Sequence, residues 1–378
     1  MNEHEFKEIE EEREVLEEDL KEPFDPKDID VVIEPRSLDS IIERIKHQEI
    51  DLNTEFQREG NLWPAPVMSR LIESVLVRFP LPAFYFDASN EDNWLVVDGL
   101  QRLCTFKQFI VDCEEEYRDR PEDKPLKLVG LEFLIDYEGL TFDKLPRNMQ
   151  RRLKESQLTT YLIKPGTPED VKYSIFYRIN TGGLLLTAQE IRHALNRNGY
   201  AAGYLKEVSR MDEFKEIVNV SPRRMQDREL ILRHLAFRLH SYEAYKPPMK
   251  SFLNKAMKEL NKLSIDRLKD LKDDFIASLV ASKALFGEHV FSKSLLKPTS
   301  KPILNRGLFE VLTVLLAEMS KEEKEKLFAH KEEFLNKFRA LLGDRAFDTA
   351  ITSATTGGLR VRERFTKIKE LLSKYTRK

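Results

Sequence analysis

The spacing of hydrophobic residues changes along the chain and predicts a mixed region followed by a helical one. Between residues 31 and 200, short apolar runs typical of strands alternate with amphipathic stretches typical of helices. The proline-containing linker at residues 22–35 leads into the first predicted strand. The other predicted strands are residues 83–89, 93–98, 133–137 and 159–164. A few strands interspersed with helices predict a small mixed β-sheet braced by helices.

Helical periodicity covers the rest of the chain. In the mixed region it predicts helices at residues 37–50, 68–79, 99–113, 147–156 and 168–180, and a further helix from Thr187. Beyond about residue 200 the strand patterns stop, and apolar residues recur every three or four positions, as at Leu268, Leu271, Phe275 and Leu279. We therefore predict an α+β fold with an acidic arm (1–30), a sheet-containing domain (31–200) and an α-helical domain (201–378).

Charge divides the chain more sharply than its total suggests. The chain has 62 basic and 65 acidic residues and a net charge of −3, but residues 1–30 hold 14 acidic and 4 basic residues, a net charge of −10. The other 348 residues therefore carry +7. The opening stretch fits either a solvated acidic helix or an arm that masks a basic surface, and its apolar face would contain Phe6, Ile9, Leu16 and Leu20.

Composition excludes several classes of protein. No apolar run approaches the roughly 20 residues of a membrane helix, and the acidic N-terminus does not resemble a signal peptide. The two cysteines, Cys104 and Cys113, lie nine residues apart on one predicted helix. They therefore face opposite sides and cannot form a disulfide. We expect a cytoplasmic protein that does not associate with membranes.

The most informative segment is the predicted strand–turn–helix at residues 94–104. Asp98 suits the helix N-cap, and Gly99 permits a tight turn where a phosphate can approach the backbone. A helix N-terminus offers free N–H groups to an anion, and Gln101 and Arg102 would add a donor and a cation. The same pattern also fits a plain connection in which Arg102 is solvated.

A second segment combines a glycine turn with a helix start. Asn180 and the pair Gly182 and Gly183 predict a turn whose amides can hold a phosphate. Thr187 and Glu190 have the spacing of a capping box, in which Glu190 accepts a hydrogen bond from the backbone. The alternative role for Glu190 is that of a Mg²⁺ ligand, and the two roles could alternate on ligand binding.

A third segment contains an arginine between apolar anchors. Arg58 follows Gln57 and precedes Trp63, which prolines flank. This arrangement predicts a phosphate or base contact by Arg58. A packing loop held in place by Phe56 and Trp63 explains the segment equally well.

Basic residues form three clusters in predominantly helical sequence. They are Arg147, Arg151, Arg152 and Lys154; Arg223, Arg224, Arg228 and Arg233; and Arg360, Arg362, Arg364, Lys367 and Lys369. Each cluster alone fits a solvated helix face. Three clusters on a body of charge +7 predict contacts with a DNA phosphate backbone.

Several motifs recur in this order in a known family: EFQREGNLW, RLIESVLVRFPLPAFYF, VVDGLQRLCTF, LPRNMQRRL and FYRINTGGLLLTAQEIR. The chain resembles the N-terminal domain family of GmrSD-type modification-dependent restriction enzymes. The family's hallmark is a DGQQR motif, which residues 98–102 match except at Leu100. The resemblance covers roughly residues 38–200 and implies a fold related to ParB and sulfiredoxin.

The resemblance also implies a function. It implies binding and hydrolysis of a nucleoside triphosphate with Mg²⁺, in bacterial defence against foreign or modified DNA. The residues that would bind the nucleotide are Arg58, Asp98, Gly99, Gln101, Arg102 and Asn180. Catalysis would use Asp98, Gln101 and Glu190, with Glu190 as the metal ligand.

The departure from the family motif at Leu100 keeps alternatives open. Leu100 replaces the first Gln of the usual motif, so the resemblance supports nucleotide binding more strongly than hydrolysis. The alternatives are a non-enzymatic DNA-binding or scaffold protein with a degenerate pocket, or a metal-dependent DNA nuclease. The spacing of a metal or HNH nuclease site is not found at His234, His240, His289 and His330. Cleavage would then require a nuclease partner chain, and assembly into a homo-oligomer is also compatible with the pattern.

Overall fold

The computed structural model describes residues 6–10, 29–52, 63–117, 124–179, 187–196 and 199–376. The chain divides into two compact units. The first, which we call the sheet unit, contains residues 24–186, and the second, the helical unit, contains residues 1–23 and 187–378. Within the described ranges, no helix combines the length and the apolar character that a membrane span requires.

The sheet unit contains the predicted small mixed sheet, and the α+β class is confirmed. Its strands are β1 (Val31–Ser37), β2 (Ile50–Asp51), β3 (Phe84–Asp87), β4 (Trp94–Asp98) and β5 (Gln157–Ile163). Their order is β1-β5-β3-β4-β2. The pairs β1–β5 and β3–β4 are antiparallel, whereas β3–β5 and β2–β4 are parallel. Pro35 is tolerated in β1 because this strand lies at the edge of the sheet.

Alternation along the strands builds one core in the sheet unit. Phe84 and Phe86 in β3, with Leu158 and Leu162 in β5, are buried in a single cluster with residues of four helices. These helices are α1 (Leu38–Lys46), α2 (Ala65–Leu76), α3 (Leu100–Ile110) and α4 (Arg147–Glu155). Each fully buried phenylalanine contributes roughly 1.5–3 kcal/mol to the free energy of unfolding.

The opposite face of the sheet carries a fifth helix. Helix α5 (Glu169–Ile179) packs against β4. Its Lys172 forms a 3.1 Å ion pair with Asp87 of β3, whose side chain alternates away from the face of Phe86. The helix that the sequence predicted at residues 168–180 is therefore present up to the last described residue of this range.

Strand β2 was not predicted, because its residues were assigned to the end of a helix. Helix α1 ends at Lys46, and Gln48 adopts a left-handed conformation with φ of +57°. The chain then turns so that β2 pairs with Trp94 and Leu95. A two-residue strand has no periodicity of its own, so only the pairing partner reveals it.

The strand predicted at residues 133–137 is wrong. The backbone N–H groups of Glu132, Phe133 and Leu134 all donate to the carboxylate of Glu73, with N–O distances of 2.7–3.1 Å. Burial alone would raise the pKa of Glu73, but these three donors lower it below its usual value. Because the donors bond to a carboxylate, they cannot form a strand ladder, and residues 135–137 form a 3-10 turn instead.

The prediction that the C-terminal part of the chain is helical is confirmed by the helical unit. Its helices are α6 (Ala188–Leu195), α7 (Tyr200–Ser209), α8 (Asp212–Ile217), α9 (Gln226–Leu239), α10 (Met249–Leu260), α11 (Ile265–Phe286), α12 (Arg306–Glu318), α13 (Lys321–Ala329), α14 (Lys331–Leu342), α15 (Arg345–Thr352) and α16 (Gly358–Thr376). The apolar stripe predicted on α11 is buried in one large core with residues of the neighbouring helices. This packing, rather than helix propensity, supplies most of the stability of these helices.

The start of the acidic arm is extended, not helical. Within the helical unit, residues 6–10 bond to Leu304, which donates its N–H to the carbonyl of Glu8 and accepts from the N–H of Glu10, both at 2.8 Å. Burial lowers the pKa of the Lys7 ammonium. The predicted helix is therefore wrong at residues 6–10, because their backbone groups bond to another part of the chain. The rest of that predicted helix lies outside the described residues.

Candidate functional site

The turn between β4 and α3 requires a glycine for two reasons. Gly99 has a φ of +97°, a conformation that L side chains rarely adopt. In addition, a Cβ at this position would lie 2.5 Å from Cδ1 of Phe84. Gly99 is itself the N-cap of α3, so the prediction that Asp98 caps this helix is wrong. No side chain among the described residues caps α3, and its first-turn N–H groups are the type of donor that binds anions.

Arg102 locks the turn onto the start of β3. Its Nη2 donates to Asp98 Oδ2 at 3.0 Å and to the carbonyl of Ala83 at 3.1 Å, and its Nη1 donates to the carbonyl of Pro82. The guanidinium also lies 4.3 Å from the ring centroid of Phe84. Arg102 is only 8% exposed, so the alternative of a solvated Arg102 is wrong. Burial lowers the pKa of Arg102, and the charge of Asp98 opposes that shift.

Gln101 connects the motif to the third predicted segment. Its Oε1 accepts a 3.1 Å hydrogen bond from the backbone N–H of Trp63, the first described residue of that segment. Leu100, the residue that departs from the family motif, packs against the core of the sheet unit. Arg58 and Asn180 lie outside the described residues, so their assignment to the nucleotide site stays a prediction.

Glu190 lies in the helical unit and closes the predicted capping box. The hydroxyl of Thr187 accepts from the N–H of Glu190 at 3.1 Å, and Glu190 Oε2 accepts from the N–H of Thr187 at 2.6 Å. The same Oε2 lies 3.2 Å from Nε of Arg224. A Mg²⁺ ion at Glu190 would have to replace these contacts. The described residues contain no group of three or more His, Cys, Asp or Glu side chains placed to hold a metal, and the metal role stays a prediction.

The first basic cluster lies on α4 and is only partly free for a ligand. Arg147 and Arg151 are exposed. Arg152 is half-buried and donates to the carbonyl of Leu76 at 3.2 Å. Lys154 forms a 3.1 Å ion pair with Asp39 of the neighbouring helix α1. Two of these four side chains therefore brace helices, and Arg147 and Arg151 carry the prediction of DNA contact.

The other two basic clusters each contain an arginine of the core. Arg233 and Arg364 are buried, and both bond to the carboxylate of Glu310, Arg233 at 2.7 Å. Interpreting these two arginines as part of a basic surface is therefore wrong. Among the arginines of these two clusters that are predicted to contact DNA, Arg223 and Arg362 are exposed.

Two further arginines of these clusters are engaged in ion pairs. Arg360 lies 3.4 Å from Glu363 on the same helix, and Arg224 is paired with Glu190 as described above. DNA binding by Arg223, Arg224, Arg360 and Arg362 stays a prediction. The sequence alone cannot distinguish the two kinds of arginine, because a carboxylate far away in the chain decides which of them is buried.

Sequence reasoning missed two tyrosines beside the motif. Tyr85 of β3 is the register partner of both Asp98 and Tyr161, and the rings of Tyr85 and Tyr161 are stacked at 4.6 Å. Both alternate with the core residues of their strands. That alternation was visible in the sequence, but the pairing of β3 with β5 was not.

Residues 38–196 match the family model described as the GmrSD restriction endonuclease, N-terminal domain. The match spans the motif at residues 98–102 and extends to Glu190, and it confirms the resemblance on which the site residues were chosen. It indicates a component of a restriction or defence system. No curated protein and no solved structure gives a significant match, and the relation to ParB stays a prediction.

Proposed function

We propose that this chain, which carries a GmrSD restriction endonuclease N-terminal domain at residues 38–196, binds a nucleoside triphosphate and acts as a DNA-sensing or regulatory component of a restriction system. The observation that carries the proposal is the turn at Gly99. There a glycine-dependent bend and a helix N-terminus without a side-chain cap coincide with the matched motif. Preorganised backbone N–H groups and a nearby cation are what a phosphate requires.

The residues at this turn fit a phosphate better than they fit a metal. Asp98 offers one partly exposed carboxylate, with 40% of its side chain accessible, and it is paired with Arg102. Bound Mg²⁺ would neutralise phosphate charge, and Asp98 is the candidate to face it. Leu100 leaves no polar side chain at the second motif position, so we propose binding first and hydrolysis as a slow, secondary activity.

The test is a thermal-shift panel of ATP, GTP, CTP and UTP, each with and without Mg²⁺. One nucleotide should raise the Tm of the wild type, and Arg102→Ala and Asp98→Asn should reduce that shift relative to their own ligand-free Tm. Arg70→Ala is the matched control, because Arg70 is an exposed arginine of the same unit that pairs with Glu132. If none of the four nucleotides shifts the wild type, the proposal is wrong.

A second candidate function is DNA binding that does not depend on nucleotide. The exposed Arg147 and Arg151 and the internal bonds of Arg102 favour it. Salt-dependent DNA binding that no nucleotide changes would support this candidate. Nicking of DNA that requires Mg²⁺ or Mn²⁺ and is lost in Glu190→Gln or Asp98→Asn would instead support the nuclease alternative.

A further inference from the structure

The open face of the sheet carries a row of side chains that begins at the motif. Ile33 on β1 is the register partner of Tyr161 on β5, Tyr161 that of Tyr85 on β3, and Tyr85 that of Asp98 on β4. Directly paired residues point to the same face of a sheet. The side chains of Ile33, Tyr161 and Tyr85 therefore line one path across three neighbouring strands. At the β4 end of this path the register shifts by a bulge between Tyr85 and Phe86, and Asp98, the partner of Tyr85, pairs there with Arg102.

The next row on this face is already covered. It contains Asp87 and its partners Ile163 and Leu95. Lys172 of α5 reaches Asp87, and Ile163 and Leu95 are buried. The first row differs, since Tyr85 and Tyr161 are only half-buried and Ile33 is 58% exposed. α5 and the covered row therefore lie on one side of the exposed row formed by Ile33, Tyr161 and Tyr85.

The two tyrosine rings are arranged as successive steps of a ladder. Their centroids are 4.6 Å apart and their planes differ by 13°, so each ring uses one face on the other. The strand spacing of about 4.8 Å makes room for further flat groups in the same stack. Ile33 offers an exposed apolar surface beside Tyr161.

We propose that Tyr85 and Tyr161 form the surface that receives the base of the nucleotide whose phosphates bind at the α3 N-terminus. This inference rests on the proposed function and names the part of the ligand that the sheet recognises. Aromatic side chains hold bases of any identity by stacking, because every base has a π-face. The chemical class of the ligand is therefore a nucleotide rather than a free polyphosphate.

The environment of Tyr85 fits this role. Burial, then the neighbouring Tyr161 and Asp98, raise the pKa of Tyr85. Its hydroxyl therefore stays protonated at neutral pH and can donate a hydrogen bond to a carbonyl or ring nitrogen of a base. Stacking provides affinity for any base, and this donor is the group that can prefer one base over another.

The experiment compares two ligands on one set of variants. Isothermal titration measures the affinity of the best nucleotide of the panel and of inorganic tripolyphosphate for the wild type and for Tyr85→Leu, Tyr161→Leu, Tyr85→Phe and Tyr161→Phe. The leucine variants keep an apolar side chain but lose the ring, and they should bind the nucleotide roughly 10-fold more weakly. Tripolyphosphate affinity should not change. The phenylalanine variants should restore most of the affinity, and Tyr200→Leu, at an exposed tyrosine of the helical unit, is the control.

Each contrary outcome has its own meaning. If the wild type binds tripolyphosphate and the nucleotide equally well, the base makes no contact; the proposed phosphate site then stands and this inference is wrong. If the leucine variants weaken both ligands equally, the tyrosines support the fold of the turn and do not recognise a base. If they weaken binding of a single-stranded oligonucleotide but not of the nucleotide, the row binds DNA bases instead. If the wild type binds neither ligand, the proposed function fails and the inference fails with it.

Discussion

Each unit of the molecule contains an arginine–carboxylate arrangement, and the two differ in access to water. In the helical unit, Glu310 bonds to Arg233 and Arg364, and only 1% of the Glu310 side chain is exposed. In the sheet unit, the side chain of Arg102 is also buried, but 40% of the Asp98 side chain is accessible. The first group is enclosed by protein on all sides, whereas the second presents one charged member outward.

This difference separates a structural group from a candidate binding group. A buried carboxylate between two arginines is stable only while all its partners are present, because each uncompensated charge costs several kcal/mol. Burial alone would raise the pKa of Glu310, but Arg364 and Arg233 hold it below its usual value. At the motif, by contrast, a ligand can compete for Asp98 without taking a charge out of the core.

The largest effect is expected from Glu310→Ala. It removes the carboxylate that the buried Arg364 and Arg233 share and leaves Arg233 paired with Glu229, so the free energy of unfolding should fall by about 3–5 kcal/mol. Urea denaturation measures this change. Asp98→Ala is the matched variant in the other unit, and it should cost only about 1 kcal/mol because that pair is partly solvated. Similar losses in the two variants would remove the distinction between the groups.

The second effect concerns the segment that supports the Glu310 helix. Asn305, the N-cap of α12, donates a 2.7 Å hydrogen bond to the carboxylate of Glu10. Deleting residues 1–10 removes this bond and the two backbone bonds to Leu304, and should destabilise the protein by about 2–3 kcal/mol. Deleting only residues 1–5 is the control. An unchanged urea midpoint after the longer deletion would show that the segment does not support α12.

A longer deletion tests the predicted masking role of the arm. If the arm shields basic surface, removal of residues 1–30 should strengthen DNA binding and steepen its salt dependence. An unchanged DNA affinity and salt slope would leave the arm with a structural role at residues 6–10 only.

The third effect is a loss of stability in mild acid. His234 follows Arg233 in α9, is fully buried, and contacts the hydroxyl of Thr313. Burial, reinforced by the charge of Arg238, holds the pKa of His234 well below its usual value. The unfolded chain therefore takes up a proton near pH 6.5 that the folded chain does not, and stability falls as the pH drops below that point, by up to about 1.4 kcal/mol per pH unit.

Variants identify the source of this pH dependence. Urea denaturation at pH 7.5, 6.5 and 5.5 should show the loss in the wild type and a smaller slope in His234→Gln. His330→Gln, at an exposed histidine, should keep the wild-type slope. Glu310 acts at lower pH, because its depressed pKa makes its contribution disappear only as the pH falls below about 4.5. A slope that His234→Gln leaves unchanged would assign the effect to other groups.

The smallest effect on stability is expected at the exposed arginines. Arg147→Ala with Arg151→Ala should change the free energy of unfolding by less than about 0.5 kcal/mol, since neither side chain is buried. If they contact DNA phosphates, the double variant should lower the slope of log affinity against log salt by about 2. Fluorescence anisotropy with a duplex measures this slope, and Lys269→Ala with Lys258→Ala, on the helical unit, provides a charge-matched comparison. Equal losses in the two double variants would indicate non-specific charge only.

Local sequence patterns determined much of the fold. Short apolar runs predicted β3, β4 and β5, and three-to-four spacing predicted that the chain beyond residue 200 is helical. The glycine at position 99 and the capping box of Thr187 and Glu190 were also evident, because their geometry depends on residues within a few positions of each other. The matched motif followed from the same kind of short-range information.

Only the tertiary structure decided which charges are buried and which strands are neighbours. The sequence pattern assigned Arg233 and Arg364 to basic clusters, but both side chains are buried in the core, where they bond to Glu310. Residues 133 and 134 were predicted as part of a strand, but their backbone N–H groups donate to the carboxylate of Glu73. Likewise, Tyr85 and Tyr161 meet only because β3 pairs with β5. In each case the partner lies more than 50 residues away, so its contribution to the free energy is not visible in the local sequence pattern.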